Sequence, residues 1–204
     1  MLYFQKHGLV LLATPKTGST ALEQALASQA DIVTQGDPQI KHCTFHRYKW
    51  RMEKFIQIFV SDLPQTAALI RQPEDWLSSW YRFRHGSWLN GTPRSTRGLS
   101  FDAFVAGYLA EPQPPFAAVG RQMRFLTHPQ TGAQVDHIYR YDAMPAFVAF
   151  LEDRLKTQIM LDRVNVSPDW AVTLSPELRA RLEIQFAEDY ALYTRAHDRY
   201  DRHE

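Results

Sequence analysis

Cysteine occurs once in the 204 residues, at Cys43. One thiol forms no intrachain disulfide, so the fold must be held by burial, and a reducing, cytoplasmic setting is the expectation. Neither sign of charge dominates: 23 Lys and Arg against 22 Asp and Glu leave a net charge of +1. That balance gives no reason to expect a nucleic-acid binder or a polybasic membrane surface. Long apolar runs are missing too. Leu9–Ala13 is too short for the apolar region of a signal peptide, and no stretch approaches the ~20 apolar residues of a transmembrane helix. Internal repeats and low-complexity tracts are absent. What remains is an ordinary globular composition, 45% hydrophobic and 22% charged, of a length suited to one domain over 1–204.

Against that background one stretch stands out. Leu9-Val-Leu-Leu-Ala-Thr is a short continuous apolar run, the pattern of a strand buried on both faces. Pro15-Lys16-Thr17-Gly18-Ser19-Thr20 interrupts it, and Ala21, Leu22, Ala25 and Leu26 then recur at helical spacing. Strand, tight polar loop and helix aim backbone N–H groups and the positive end of a helix dipole at whatever sits in the loop. Lys16 adds a full charge, Thr17, Ser19 and Thr20 add hydroxyls, and Gly18 permits close approach or positive φ. The loop is either a cradle for a phosphate- or sulfate-like group or a solvated turn.

Asp31–Thr34, Thr66–Ile70 and Val135–Tyr141 read as further strands. Tyr48–Phe59, Glu74–Phe83, Phe101–Leu109, Phe116–Leu126 and Met144–Leu155 read as helices, and Ser175-Pro176-Glu177 opens a long one with the buried stripe Leu178, Leu182, Phe186, Tyr190 and Tyr193. Strands alternating with helices predict an α/β protein with a parallel sheet. Arg71 ends the strand Thr66–Ile70, and Ser79 lies eight residues further on. A guanidinium fork and a hydroxyl suit one phosphate, whereas an ion pair of Arg71 with Glu74 or Asp75 is the structural alternative. Residues 84–100 are rich in Gly, Ser, Thr, Pro, Arg and Trp and form an irregular segment of the kind used for lids. His85, Trp88 and Arg94 are its candidate acceptor contacts, with a plain solvated loop equally open. Trp76, Trp80 and Phe83 recur at core spacing.

Taken together, the loop Pro15–Thr20 and the element Arg71-Gln72-Pro73…Ser79-Trp80-Tyr81 resemble the two nucleotide-holding elements of sulfotransferases that use 3′-phosphoadenosine 5′-phosphosulfate (PAPS), in particular small bacterial and glycan-type members. Tyr139-Arg140-Tyr141-Asp142-Ala143-Met144 is similar to the strand-end region whose tyrosine lies near the adenine, and Asn165-Val166-Ser167, Leu174-Ser175-Pro176 and Asp189-Tyr190 look like the tail of those members. The resemblance implies a P-loop-NTPase-like central parallel β-sheet flanked by helices on both faces. It implies PAPS as co-substrate, held by Pro15, Lys16, Thr17, Gly18, Ser19, Thr20, Arg71, Ser79 and Tyr141, with no metal, and a hydroxyl acceptor on a carbohydrate or small molecule. Two features depart from the family's cytosolic branch: Ala21 replaces its adenine-stacking tryptophan, and its C-terminal Arg-Lys-Gly element is missing.

Sulfuryl transfer needs in-line approach, neutralisation of the departing phosphate oxygen and a base. Lys16 is the expected electrostatic group and His42 the expected base, because histidine titrates near neutrality and the resemblance places a catalytic histidine after the second strand. His46 and Glu23 are the alternatives. His42 and His46 stand at helical spacing but lack a neighbouring carboxylate for zinc, and Cys43 lacks the orienting acid of a cysteine nucleophile. A P-loop kinase or NTPase is the rival enzyme. Its motif sets lysine directly after glycine, whereas Lys16 precedes Gly18, and Arg71 stands where a magnesium-binding acid would. A nucleotide-binding relative without turnover is the non-enzymatic alternative.

Overall fold

The computed structural model describes residues 1–162 and 170–200. Its strands are β1 (Leu2–Phe4), β2 (Leu9–Leu11), β3 (Ile32–Val33), β4 (Gln65–Ile70) and β5 (His137–Arg140). Its α-helices are α1 (Ser19–Leu26), α2 (Pro38–Lys41), α3 (Phe45–Arg47), α4 (Glu53–Ile56), α5 (Pro73–Arg84), α6 (Phe101–Tyr108), α7 (Gln122–Leu126), α8 (Met144–Leu155), α9 (Pro176–Gln185) and α10 (Ala187–Arg195). Among the described residues no helix is long and apolar enough to cross a membrane. The chain packs as two compact units, one formed by Met1–Arg71, Gln122–Val164 and Arg195–Glu204, the other by Gln72–Arg121 and Asn165–Thr194.

The first unit is α/β, built on a five-stranded sheet of order β3-β1-β2-β4-β5. β2, β4 and β5 run parallel, with Leu11 opposite Ala67 and Leu69 opposite Tyr139. β1 pairs antiparallel with both β2 and β3, so the sheet is mixed and not the wholly parallel one expected. The difference is β1 itself: three residues lead through a short turn and a left-handed Gly8 (φ 53°) into β2, and so brief a strand carries no usable periodicity. Alternation along the strands sends Leu2, Phe4, Leu9, Leu11, Ala67, Leu69 and Tyr139 to one side, where Leu22 and Leu26 of α1 and Phe147, Phe150, Leu151 and Leu155 of α8 complete a core. Tyr3, Val10, Ala68, Ile70 and Ile138 of the opposite face are buried as well, which is why β2 and β4 read as unbroken apolar runs. Asp136 pins the starts of β4 and β5 together, accepting at 2.7 Å from both the amide and the hydroxyl of Thr66.

Tyr48–Phe59 was expected to be one helix. Helical backbone runs from Phe45 to Ile56, with a π-helical turn at Tyr48–Met52 between α3 and α4. Phe116–Leu126 is helical only in α7, because Gly120 (φ 80°) turns the chain ahead of it.

The second unit is helical. Trp76, Leu77 and Tyr81 of α5 pack with Phe101, Phe104, Val105 and Tyr108 of α6 and with Leu174, Leu182 and Phe186. The expected long C-terminal helix is two helices, α9 and α10. Phe186 leaves helical geometry (φ −117°, ψ 29°), stacks on Tyr108 at 4.7 Å and lies under the Arg121 guanidinium at 4.5 Å. Pro176 starts α9 as expected, while the Ser175 side chain makes no capping bond. Ser100 does cap α6, accepting from the amide of Ala103. Asn165-Val166-Ser167 lies outside the described residues.

Candidate functional site

Parallel pairing of β2 with β4 puts their carboxyl ends on one edge of the sheet, where ligands of α/β folds bind. The chain leaves β2 through Leu12, whose amide still donates to Ala67, and turns at residues 15–18. Two residues of that turn are left-handed: Gly18 (φ 74°) and Lys16 (φ 66°). For lysine this conformation is strained. Thr17 is buried, and its hydroxyl donates to the Thr14 carbonyl at 2.9 Å. Thr17 therefore braces the turn from within, while the amides around Gly18 begin α1. No side chain caps α1, in contrast to α5 and α6, which Gln72 and Ser100 cap. The first-turn amides of α1 are thus directed at the loop, with the positive end of its dipole.

Arg71 follows β4 on the same edge. Its guanidinium donates to the Lys16 carbonyl at 3.2 Å and lies 4.6 Å from the centre of the Tyr141 ring. Tyr141, at the end of β5, also flanks the loop: a Cβ added at Gly18 would meet Tyr141 Cε2 and Met144 Cε at 3.5 Å. So Lys16, Gly18, Arg71 and Tyr141, singled out separately along the sequence, meet at three adjacent strand ends. Sequence reasoning missed the residue that fixes Arg71. The buried side chain of Gln122 accepts from the Arg71 amide at 2.9 Å and donates to the Arg71 carbonyl at 2.7 Å. Nothing in the sequence announces this clamp, which joins positions 51 residues apart.

His42 stands beyond α2 with Nδ1 at 2.6 Å from the Ala13 carbonyl. A carbonyl only accepts, so the proton sits on Nδ1 and the lone pair on Nε2. Burial holds the imidazole pKa below its ordinary value, against the opposing pull of the Ala13 bond. Glu23 is paired with Lys41 at 3.0 Å, and Lys41 Nζ also reaches Thr20 Oγ1 at 3.3 Å. Lys41 is thus a second cation on the loop that sequence reasoning passed over, although it adjoins His42. Ser19 and Glu23 line a cavity of about 10 Å³ under the loop, together with Leu11, Leu12, Leu22 and Phe147. At one water's volume it is a packing void, not a ligand chamber. His46 lies elsewhere in the packing of the first unit, edge-on to His128 at 4.5 Å and stacked with Trp50. Among the described residues no group of three or more His, Cys, Asp or Glu is arranged to hold a metal ion.

Ser79 belongs to the second unit, on α5, and is 3% exposed. Residues 84–100 also belong there and are anchored to α5. Thr96 donates to the Tyr81 carbonyl, Tyr81 to the Leu99 carbonyl and Arg97 to the His85 carbonyl. Arg84 is buried, with its guanidinium spent on the carbonyls of Pro115 and Ala118, and burial lowers its pKa to about 10. His85 packs edge-on to Trp170 at 4.6 Å. Trp88 and Arg94 are exposed.

Compared with protein-family models, with curated proteins and with solved structures, the chain matches none.

Proposed function

We propose that this protein is a PAPS-dependent sulfotransferase acting on a hydroxyl acceptor. The observation that carries the reading is the junction of Arg71, Lys16 and Tyr141, which sets a guanidinium, a lysine loop and an aromatic ring at the carboxyl ends of β2, β4 and β5. A bisphosphorylated adenosine needs those three things at once: two anion-holding groups and an apolar face for the purine. Every residue on which this reading rests belongs to the first unit.

In this reading the uncapped start of α1 and Lys16 hold the 5′-phosphosulfate, and Arg71 takes the 3′-phosphate. Nε2 of His42 accepts the acceptor's hydroxyl proton as the acceptor oxygen bonds to sulfur and the bond from sulfur to the bridging oxygen breaks. Lys16 neutralises the charge left on that oxygen, and 3′,5′-ADP departs. The Nδ1 bond to Ala13 leaves Nε2 as the basic nitrogen, which favours His42 over His46, whose Nδ1 is buried without a hydrogen-bond partner.

Thermal-shift titration tests the donor. Stabilisation by 3′,5′-ADP without magnesium is expected, and stabilisation only by magnesium-ATP would instead assign a phosphotransferase. Incubating acceptor pools with PAPS and searching by mass spectrometry for one added sulfuryl group tests turnover. Binding of 3′,5′-ADP with no transfer across a broad panel would assign a non-catalytic nucleotide binder.

A further inference from the structure

The near-zero net charge of the chain hides a local imbalance. Between Arg47 and Leu63 there are four cations, Arg47, Lys49, Arg51 and Lys54, and two acids, Glu53 and the exposed Asp62. Glu53 is buried and paired with Lys49, which leaves Arg47, Arg51 and Lys54 exposed. The same segment carries large apolar side chains that do not pack inward. Tyr48 and Ile56 enter the core, while Trp50, Phe55, Ile58, Phe59 and Leu63 are 46–74% exposed. Isolated exposed apolar residues are ordinary; five within fourteen positions concentrate apolar surface on one segment, the kind of exposure that interaction sites use. Phe55 and Phe59 contact each other at 5.3 Å, and Arg51 lies over the Trp50 ring at 4.9 Å, so exposed cations and exposed aromatic rings alternate along one helical segment.

We propose that the helical segment α3–α4 and the turn after it form a peripheral docking surface for an anionic lipid bilayer. The chemistry fits that occupant. Trp, Phe and Ile beside Lys and Arg, on a helix lying in the interface plane, are the features of interfacial membrane attachment. The aliphatic stems of Arg51 and Lys54 can lie along the acyl boundary with their charges at the headgroups. A symmetric second copy fits poorly, because pairing this face with itself sets cations against cations. The π-helical turn at Tyr48–Met52 carries Trp50 and Arg51 on its outer side while Tyr48 stays fully buried, so the surface is held from beneath by the core of the first unit.

Vesicle flotation with the full-length chain tests this, comparing phosphatidylcholine–phosphatidylserine vesicles with phosphatidylcholine alone. Flotation with the anionic vesicles only, weakened by raised salt, is expected. Arg51→Gln with Lys54→Gln should reduce partitioning about five-fold per cation removed, and Ile58→Ser with Phe59→Ser by at least about ten-fold. These side chains are exposed, so circular dichroism and melting temperature should be unchanged in both pairs of variants. Equal flotation with both vesicles or with neither, or variants that float like the parent, would overturn the proposal. So would a dimer in sedimentation analysis that Ile58→Ser with Phe59→Ser abolishes, since the face would then belong to a second copy.

Discussion

The guanidinium of Arg71 donates to the backbone carbonyl of Lys16 at 3.2 Å, across the carboxyl ends of two neighbouring parallel strands. The loop that carries Lys16 is thereby tied to an arginine 55 residues further along the chain. The Lys16 residue that accepts this bond has a left-handed φ of 66°.

Arg71 offers a planar fork that lysine cannot copy. Arg71→Lys should weaken 3′,5′-ADP binding nearly as much as Arg71→Ala, by roughly 10- to 100-fold, the range of one or two charged hydrogen bonds. Titration calorimetry checks this, and full affinity in Arg71→Lys would remove the fork from the site.

Left-handed backbone at Lys16 costs about 1 kcal/mol that glycine would not bear. Lys16→Gly should therefore melt above Lys16→Ala by a few degrees while both lose turnover. Gly18→Ala should go the other way: its Cβ finds only ordinary contacts at 3.5 Å, so the loss of about 1 kcal/mol comes from φ alone. Calorimetric melting of the three variants measures both effects.

Burial lowers the pKa of His42 in the folded protein. Below the ordinary histidine value of about 6.5 the unfolded chain then binds more protons, so stability is full above that pH and falls as pH drops toward the folded pKa. His42→Gln should flatten part of the decline in melting temperature between pH 7 and 5, and abolish sulfuryl transfer while 3′,5′-ADP still binds. An unchanged pH profile together with retained turnover would exclude His42 as the base.

Removing the Gln122 side chain strips two hydrogen bonds from the backbone of Arg71 at a buried position. Gln122→Ala should cost about 2–4 kcal/mol in denaturant unfolding. Gln122→Glu should cost at least as much, since it offers no donor to the Arg71 carbonyl and buries a charge. Weakened 3′,5′-ADP binding in the surviving folded protein would mark Gln122 as a positioning residue for Arg71.

Asp189 is 3% exposed and accepts from Nε and Nη2 of Arg121 at 3.0 and 2.6 Å. Arg121→Ala should destabilise the protein measurably in denaturant unfolding, because it strips two charge-assisted hydrogen bonds from a buried carboxylate. Asp189→Asn, which leaves no buried anion, should cost less in the same measurement.

Local pattern was enough for much of this protein. The apolar runs of β2 and β4, the turn between β2 and α1, the 12-residue span of α8 and the Ser100 cap of α6 are all decided by residues within a few positions of one another, where periodicity and capping chemistry act. Sequence alone also singled out Lys16, Gly18, Arg71, Tyr141 and His42. Tertiary structure decided what depends on distant partners: the antiparallel β1, too short to show a period; the break at Phe186, set by Tyr108 and Arg121; the Gln122 clamp; and the Glu23–Lys41 pair. It also decided which way side chains face. Helical spacing by itself turns Arg47, Lys49, Arg51 and Lys54 outward and sets Phe55 and Phe59 on the apolar stripe with Tyr48 and Met52; the fold buries Tyr48, Glu53 and Ile56 instead and leaves Phe55 and Phe59 exposed. Hydrophobic spacing sets which element forms, and long-range packing selects the face that is left to solvent.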